Sequence, residues 1–398
     1  MATAVVRLKP RRERSVLKRH PWIFSGAVAD VQGEPAAGAT VEVTDSAGTW
    51  LARGAYSPSS QIRVRLWTWD QAEIVDEAFF ARRLGQAILR RQALSASGDT
   101  NAYREVHAES DALPGLIVDR YADFRVVQLL SAGAEHWRDA LVEALTTRSG
   151  VKGIYERSDV SVRELEGLEQ RTGMLWGSEP PARLRIEERG AAFWVDVRGG
   201  QKTGFYLDQR ENRSLLMQGM TGKDVLNAFA YTGGFTIATL KGGASSVLSV
   251  DSSAEALELA KENVALNGLT AERCAWMTGD AFVELRKLRD RAASFDVVVL
   301  DPPRFAATAA QAERAARGYK DINLLALKLL RPGGALHTFS CSGGVSADLF
   351  EKIVAGAAID AGVEAVVEEW LGQPVDHPVS LSFPEGRYLK GLVCRRVG

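Results

Sequence analysis

The stretch from Asp224 to Asp251 narrows the choice of folds more than any other part of the chain. It reads Asp-Val-Leu-Asn-Ala-Phe-Ala-Tyr-Thr-Gly-Gly-Phe, then a run containing alanine and leucine, then Ser-Val-Leu-Ser-Val-Asp. Residues 225–229 have the composition of a short buried strand. Gly233 and Gly234 permit a tight turn and a close backbone approach to a ligand. Residues 236–241 read as an opening helix, and 247–250 as a second strand ending on Asp251. A strand, glycine turn, helix, strand and acid in that order can hold a nucleoside at the carboxyl edge of an α/β sheet, the acid accepting hydrogen bonds from ribose hydroxyls. Any strand-helix-strand unit with a glycine turn shares the pattern, so the downstream chain must identify the nucleoside.

Downstream, Ser253 is placed to cap a helix running to residue 267, and a third strand over 276–281 closes on Asp280 and Ala281. Residues 295–301 read as a strand, continuously apolar between Asp296 and Asp301, of the kind found in parallel sheets buried on both faces. The run ends in Asp301-Pro302-Pro303-Arg304-Phe305. A long helix is expected over 309–330, a break at Arg331-Pro332-Gly333-Gly334, and a fifth strand over 335–339 leading into Ser340-Cys341-Ser342. A helix over 347–361 and two strands, 364–371 and 388–395, joined without a helix, complete the region. Upstream of the glycine turn lies a polar and aromatic cluster with Lys202, Phe205, Tyr206 and Gln209. It is placed to close over a bound nucleoside, Phe205 or Tyr206 stacking and Gln209 hydrogen-bonding. A dinucleotide dehydrogenase would want Gly-x-Gly-x-x-Gly, which is absent, and has no use for two prolines that stiffen the end of the fourth strand.

The first 75 residues contain short alternating runs at 40–44, 50–55 and 62–67 separated by Gly, Ser and Pro turns, the signature of a small barrel or sandwich. Residues 76–96 read as an amphipathic helix linking two domains. Strand-like runs at 116–121, 124–130, 153–157 and 172–176 around a helix at 137–146 indicate a small α+β domain. Arg104, His107 and Asp111 in that region lack catalytic spacing and read as structural or substrate-positioning residues. The division expected is 1–75, 76–182 and 183–398.

With 398 residues, the chain has room for two or three domains. No apolar run is long enough for a bilayer, and the basic N-terminus lacks the apolar core of a secretory signal. Cys274, Cys341 and Cys394 are odd in number and lack metal-ligand spacing, and the five histidines are scattered. No metal is expected, and a reduced, cytoplasmic setting fits. The net charge of −1 hides a basic segment from Arg7 to Arg19, in which Arg7, Lys9, Arg11, Arg12, Arg14, Lys18 and Arg19 face only Glu13. Such a segment suits a phosphate-rich partner, although charge runs are also simply solvated.

Several stretches resemble known families. Residues 14–27, with Gly38-Ala39-Thr40-Val41-Glu42-Val43 and Arg53-Gly54-Ala55-Tyr56, resemble a PUA domain, an RNA-binding pseudo-barrel. That implies a surface for structured RNA, with Trp22 and Phe24 expected in its small core. The C-terminal order of five α/β-connected strands and a hairpin resembles a class I S-adenosylmethionine-dependent methyltransferase, a Rossmann-like domain with a seven-stranded sheet. The resemblance implies that Asn227, Ala228, Phe229, Tyr231, Thr232 and Gly233 hold the methionine moiety. Asp251, with Ser252 and Ser253 beside it, would hold the ribose, Asp280 and Ala281 the adenine, and Asp301 with Pro302 the catalytic loop.

Asp-Pro-Pro followed directly by an aromatic residue would suggest methylation of a base amino group, but Arg304 intervenes before Phe305. Cys341, at the tip of the strand neighbouring Asp301, points instead to covalent catalysis. A thiolate adding to C6 of a pyrimidine turns C5 into a nucleophile. The same loops, with Phe205-Tyr206-Leu207-Asp208-Gln209-Arg210, residues 317–323, His377-Pro378 and residues 384–391, resemble the RlmI-type 23S rRNA (cytosine-C5) methyltransferases over nearly the whole chain. The resemblance implies S-adenosylmethionine as cofactor, and 23S rRNA or a large-subunit precursor as partner. It further implies Cys341 as nucleophile, Asp301 as its neighbour on the base, and RNA contacts from Arg11, Arg12, Arg14, Lys18, Arg19, Lys202, Arg304 and Lys320. Lys202, Arg304 and Lys320 are also candidates for stabilising the thiolate. Many relatives of this chemistry carry a second cysteine in the Asp-Pro loop for product release, and this chain has none there. An amino-group or uracil-directed RNA methyltransferase, and a non-catalytic ribosome-assembly protein, remain the alternatives. A homodimer is compatible with all of them.

Overall fold

Residues 297–300 of the strand Phe295–Leu300 are apolar on both faces because both faces are covered. In the computed structural model, which describes residues 4–147, 150–306 and 311–397, Val297, Val298, Val299 and Leu300 are all buried. The strand lies in the middle of a seven-stranded sheet made of β1 (Asp224–Ala228), β2 (Ser246–Asp251), β3 (Cys274–Thr278), β4 (Phe295–Leu300), β5 (Leu330–Ser340), β6 (Glu364–Gly372) and β7 (Lys390–Val397). Their spatial order is β3-β2-β1-β4-β5-β7-β6. Strands β1 to β5 run parallel, while β7 is antiparallel to both β5 and β6. The order reverses between β1 and β4, and at such a switch point the loops leaving adjacent strands diverge and open a crevice.

After β1 the helices are α1 (Gly234–Lys241), α2 (Ala254–Leu266), α3 (Ala281–Asp290), α4 (Ala312–Leu329) and α5 (Ala347–Ala361) among the described residues. On α4, Tyr319, Ile322, Leu325 and Ala326 recur at helical spacing. They pack with Phe350, Ile353, Val354 and Ala357 of α5 against Leu226, Ala228, Val298, Leu300 and Leu336 of the sheet. Ser253 and Asp280 cap α2 and α3 by accepting hydrogen bonds from Ala256 N and Val283 N. Residues 309 and 310 of the long helix expected from the sequence lie outside the described residues.

His337 on β5 is buried, and burial pushes its pKa down to about 4. Between that value and the ordinary 6.5 the unfolded chain binds a proton that the folded chain refuses, so stability rises with pH through this window and is lost as pH falls through it. About two and a half units corresponds to about 3 kcal/mol. His337→Leu should therefore flatten the acid limb of the stability curve. Urea melts of both proteins at neutral pH and near pH ~5 would show it; equal losses on acidification would exclude His337 as the cause.

The chain divides into two compact units, one made of residues 1–186, 195–207 and 375–386, the other of 187–194, 208–374 and 387–398. The first unit holds a six-stranded sheet, in the spatial order Trp22–Phe24, Ile62–Thr68, Trp50–Tyr56, Thr40–Thr44, Val5–Leu8, Val28–Gln32. It also holds a five-stranded sheet in the order Arg171–Gly177, Gly153–Ser158, Phe124–Leu129, Leu116–Tyr121, Ala102–His107. The linking helix expected over 76–96 is two helices, Glu77–Arg90 and Gln92–Ser97. Arg91, between them, is buried and sends its guanidinium to both carboxylate oxygens of Asp111 at 2.8 and 2.7 Å. Arg104 makes a similar fork to Asp119, which accounts for the structural character of this charged cluster. Phe24, expected in the small core, is instead 51% exposed. Its neighbour Ile23 takes the inward position of that short strand. Trp22 is partly buried, donates its indole N–H to Glu109 at 2.8 Å, and packs edge-on against Phe383 with ring centres 4.8 Å apart.

Candidate active site

The five residues after β1 make a strained turn at the sheet edge. Phe229 and Tyr231 have φ of 62° and 47°, and Gly233 has 83°. Non-glycine residues in this region cost roughly 1–3 kcal/mol each and persist where surrounding bonds hold them. Ala230 N donates to Val250 O at 3.0 Å and Gly233 N to Ala230 O at 2.9 Å, and Asp251 supplies the side-chain bond. Its carboxylate accepts Tyr231 N at 2.8 Å through one oxygen and Ser253 N at 2.9 Å through the other. Each oxygen retains a second lone pair, and the residue is only partly buried. Thr232 Oγ, buried in the same turn, has no protein partner. A half-open carboxylate and an orphaned hydroxyl beside a tight backbone turn fit the polar side of a nucleoside cofactor.

Other expected contacts take different positions. The Asn227 amide is turned inward, donating to Thr236 Oγ1 at 2.9 Å, and Thr236 bonds in turn to Ser249. Gly233 is needed for packing, since a Cβ there would sit 3.0 Å from the Ala260 Cβ of α2. Ser253 uses its hydroxyl as a helix cap. Asp280 is exposed and capping, and Ala281 is buried behind it. Next to them stands Phe282, inconspicuous in the sequence because it is one aromatic among many. Its ring lies 6.5 Å from Phe229 and 5.9 Å from Phe305, so an aromatic row joins the loops after β1, β3 and β4.

The second half of the edge is built by Ser342. Strand register sets Leu300 of β4 opposite Thr338 of β5, so the loops bearing Asp301 and Cys341 leave the sheet side by side. Ser342 Oγ then accepts the backbone N–H groups of Phe305 at 3.0 Å and Ala306 at 3.1 Å, and bonds to the hydroxyl of buried Tyr319 at 2.9 Å. The Asp-Pro-Pro loop and the cysteine loop are thereby stitched together. Cys341 and Asp301 are both partly exposed, Pro302 is buried, and Arg304 is exposed.

The other two cysteines contrast with Cys341. Burial pushes Cys274 up to about 11 and Cys394 up to about 12, and Cys394 packs in the apolar core. Lys320 pairs with Asp360 of α5 at 2.8 Å.

Phe205, Tyr206 and Lys202 belong to the N-terminal unit. There Phe205 is buried and its N–H donates to Tyr121 Oη at 3.2 Å, while the Lys202 ammonium lies 4.2 Å above the Tyr206 ring. Gln209 belongs to the other unit, buried and accepting from Asn212 Nδ2 at 2.6 Å. Arg11, Arg12, Arg14, Lys18 and Arg19 are all exposed around the short helix Arg14–Leu17, with the Arg19 guanidinium 5.7 Å from the centre of the Trp69 ring. Among the described residues no helix is long and apolar enough to cross a membrane.

Comparison with known proteins agrees with this architecture. Residues 168–379 match the family of S-adenosylmethionine-dependent methyltransferases, and residues 6–69 match the PUA-like domain. Over 384 residues the chain is 53% identical to ribosomal RNA large subunit methyltransferase I of Enterobacter sp. (strain 638), covering 96% of this chain and 97% of that one. It is 52% identical, over the same shares, to the protein of that name in Escherichia coli (strain SMS-3-5 / SECEC). Among solved structures, a Streptococcus mutans protein described as a SAM-dependent methyltransferase superposes with a TM-score of 0.85 at 21% identity, covering 98% of this chain and 99% of that one. A second methyltransferase structure, complexed with SAH, has a TM-score of 0.87 at 21% identity and the same coverage. With its PUA-like start, its Rossmann-like sheet and identity along nearly its whole length, the chain belongs to the ribosomal RNA large subunit methyltransferase I family of S-adenosylmethionine-dependent methyltransferases.

Proposed function

We propose that this enzyme methylates C5 of a cytosine in 23S rRNA through a covalent bond between Cys341 and C6 of the base. The observation that carries the reading is the Ser342 hydroxyl, which binds the Asp301 loop to the Cys341 loop at one sheet edge. In this reading Asp251 and Thr232 hold the cofactor's polar groups, and Phe229 with Phe282 flank its adenine. S-adenosylmethionine supplies the methyl group as a sulfonium. The target cytosine enters flipped out of its stack. The Cys341 thiolate forms the S–C6 bond, and the C5–C6 π pair becomes the electron pair with which C5 takes the methyl group. Asp301 hydrogen-bonds the base at N3 or its amino group and steadies the charge of the adduct. Removal of the C5 proton, by Asp301 or a water it orients, restores the double bond as the C6–S pair returns to sulfur. The exposed cations Arg11, Arg12, Arg14, Lys18 and Arg19 meet rRNA phosphates, as does Arg304 beside the base. The division into a PUA-like part (1–75), a middle part (76–182) and a methyltransferase part (183–398) belongs to the same reading.

The test is transfer of labelled methyl to naked 23S rRNA and to assembled subunits, followed by nucleoside mass spectrometry. The expected product is 5-methylcytidine. An N4-methylcytidine, an N-methyladenosine or a 5-methyluridine would replace the proposal with one of the other methyltransferase chemistries.

A further inference from the structure

Lysine is seldom buried without an acid to pair with, yet Lys390 at the start of β7 is only 9% exposed. Among the described residues no carboxylate pairs with it. It sits opposite Ser340, the last residue of β5. Its ammonium donates to the carbonyl oxygens of Ser342 at 2.7 Å and Val345 at 2.6 Å, both in the loop that leaves β5 through Cys341. Two carbonyl dipoles solvate a buried cation only in part. Burial lowers its pKa to about 8, and the charge that acts in the opposite direction is that of Cys341. Tyr319 of α4 reaches the same loop through Ser342, and it too responds to Cys341.

Resting on the reading of Cys341 as nucleophile, we infer that Lys390 is its positioning residue: the ammonium pins the 342–345 turn and provides the counter-charge of the Cys341 thiolate. The interaction is reciprocal. A cation that the thiolate keeps protonated must also favour the thiolate over the thiol. Lys320, by contrast, has its charge paired with Asp360 at 2.8 Å.

The test uses the full chain and needs no RNA. Iodoacetamide labelling of Cys341 is followed against pH by peptide mass spectrometry, which separates it from Cys274 and Cys394, and SAH binding is measured by calorimetry on the same samples. Lys390→Met should raise the midpoint of Cys341 labelling by about one unit, slowing labelling about tenfold below both midpoints. Lys390→Arg, which keeps the charge, should stay near the native midpoint. An unchanged midpoint in Lys390→Met with SAH binding intact overturns the inference. Should Lys390→Met lose SAH binding, Lys390→Arg decides: a midpoint near native supports the counter-charge, and one raised by a full unit overturns it. A Cys341→Ala enzyme that still methylates rRNA would sink the nucleophile reading instead, and would leave the labelling shift standing.

Discussion

Cys341→Ala should lower methyl transfer by on the order of 10³-fold or more while SAH binding stays within about twofold of the native protein. The expectation rests on pyrimidine chemistry. Without an adduct at C6, C5 is too weak a nucleophile to take the methyl, so removing the sulfur removes the route rather than slowing one step. The cofactor contacts should survive, because those proposed stand on the loops after β1, β2 and β3, while Cys341 stands after β5. Cys274 and Cys394 cannot substitute, since burial holds both thiols protonated far above neutral pH. Cys341→Ser keeps the shape and replaces a good nucleophile and leaving group by a poor one, so it should be nearly as inactive. Labelled-methyl transfer paired with calorimetry checks both expectations, and near-native turnover by either variant would rule out covalent catalysis by this residue.

Asp251→Ala should weaken SAH and S-adenosylmethionine binding roughly 100-fold, the size expected from losing charge-assisted hydrogen bonds worth about 1.5–3 kcal/mol each. The effect has two sources. In the proposed site the ribose loses its acceptor, and the amide of Tyr231 in the left-handed turn and that of Ser253 lose the carboxylate they share. Asp251→Asn separates them. It can still accept one backbone N–H, so the turn is partly held while the charge is gone, and its loss should be intermediate. Calorimetric titration of the three proteins gives the ranking; equal affinities would remove Asp251 from the cofactor site.

The parallel core is readable in the sequence for a simple reason. Strands covered on both faces are predominantly apolar, so residues 225–228, 247–250 and 297–300 stand out even with Asn227 and Ser249 among them, and the acids and the thiol that come after such strands must emerge at the same edge. Asp251, Asp301 and Cys341 are legible in this way. Ser342 and Lys390 are not, because their roles lie in hydrogen bonds between residues far apart in the chain. Ser342 bonds to residues 36 and 37 positions away, and Lys390 reaches back 48 and 45. Local pattern contains no trace of such pairings. The strands Val5–Leu8, Trp22–Phe24 and Val28–Gln32 escape for a related reason. They are short, and the last has no fully buried residue. Lys320 reads as a free cation in the sequence because its partner Asp360 lies on the next helix.

The segment between β6 and β7 has a consequence for how the molecule is made. Residues 375–386 complete the N-terminal unit, where the Asp376 carbonyl receives Arg91 and Phe383 covers Trp22. That unit therefore cannot finish folding while it emerges alone from a translating ribosome. It must wait, with Arg91 and Trp22 incompletely covered, until residues 375–386 have been synthesised. Completion of the first unit is thus tied to synthesis of a segment that lies between two strands of the second.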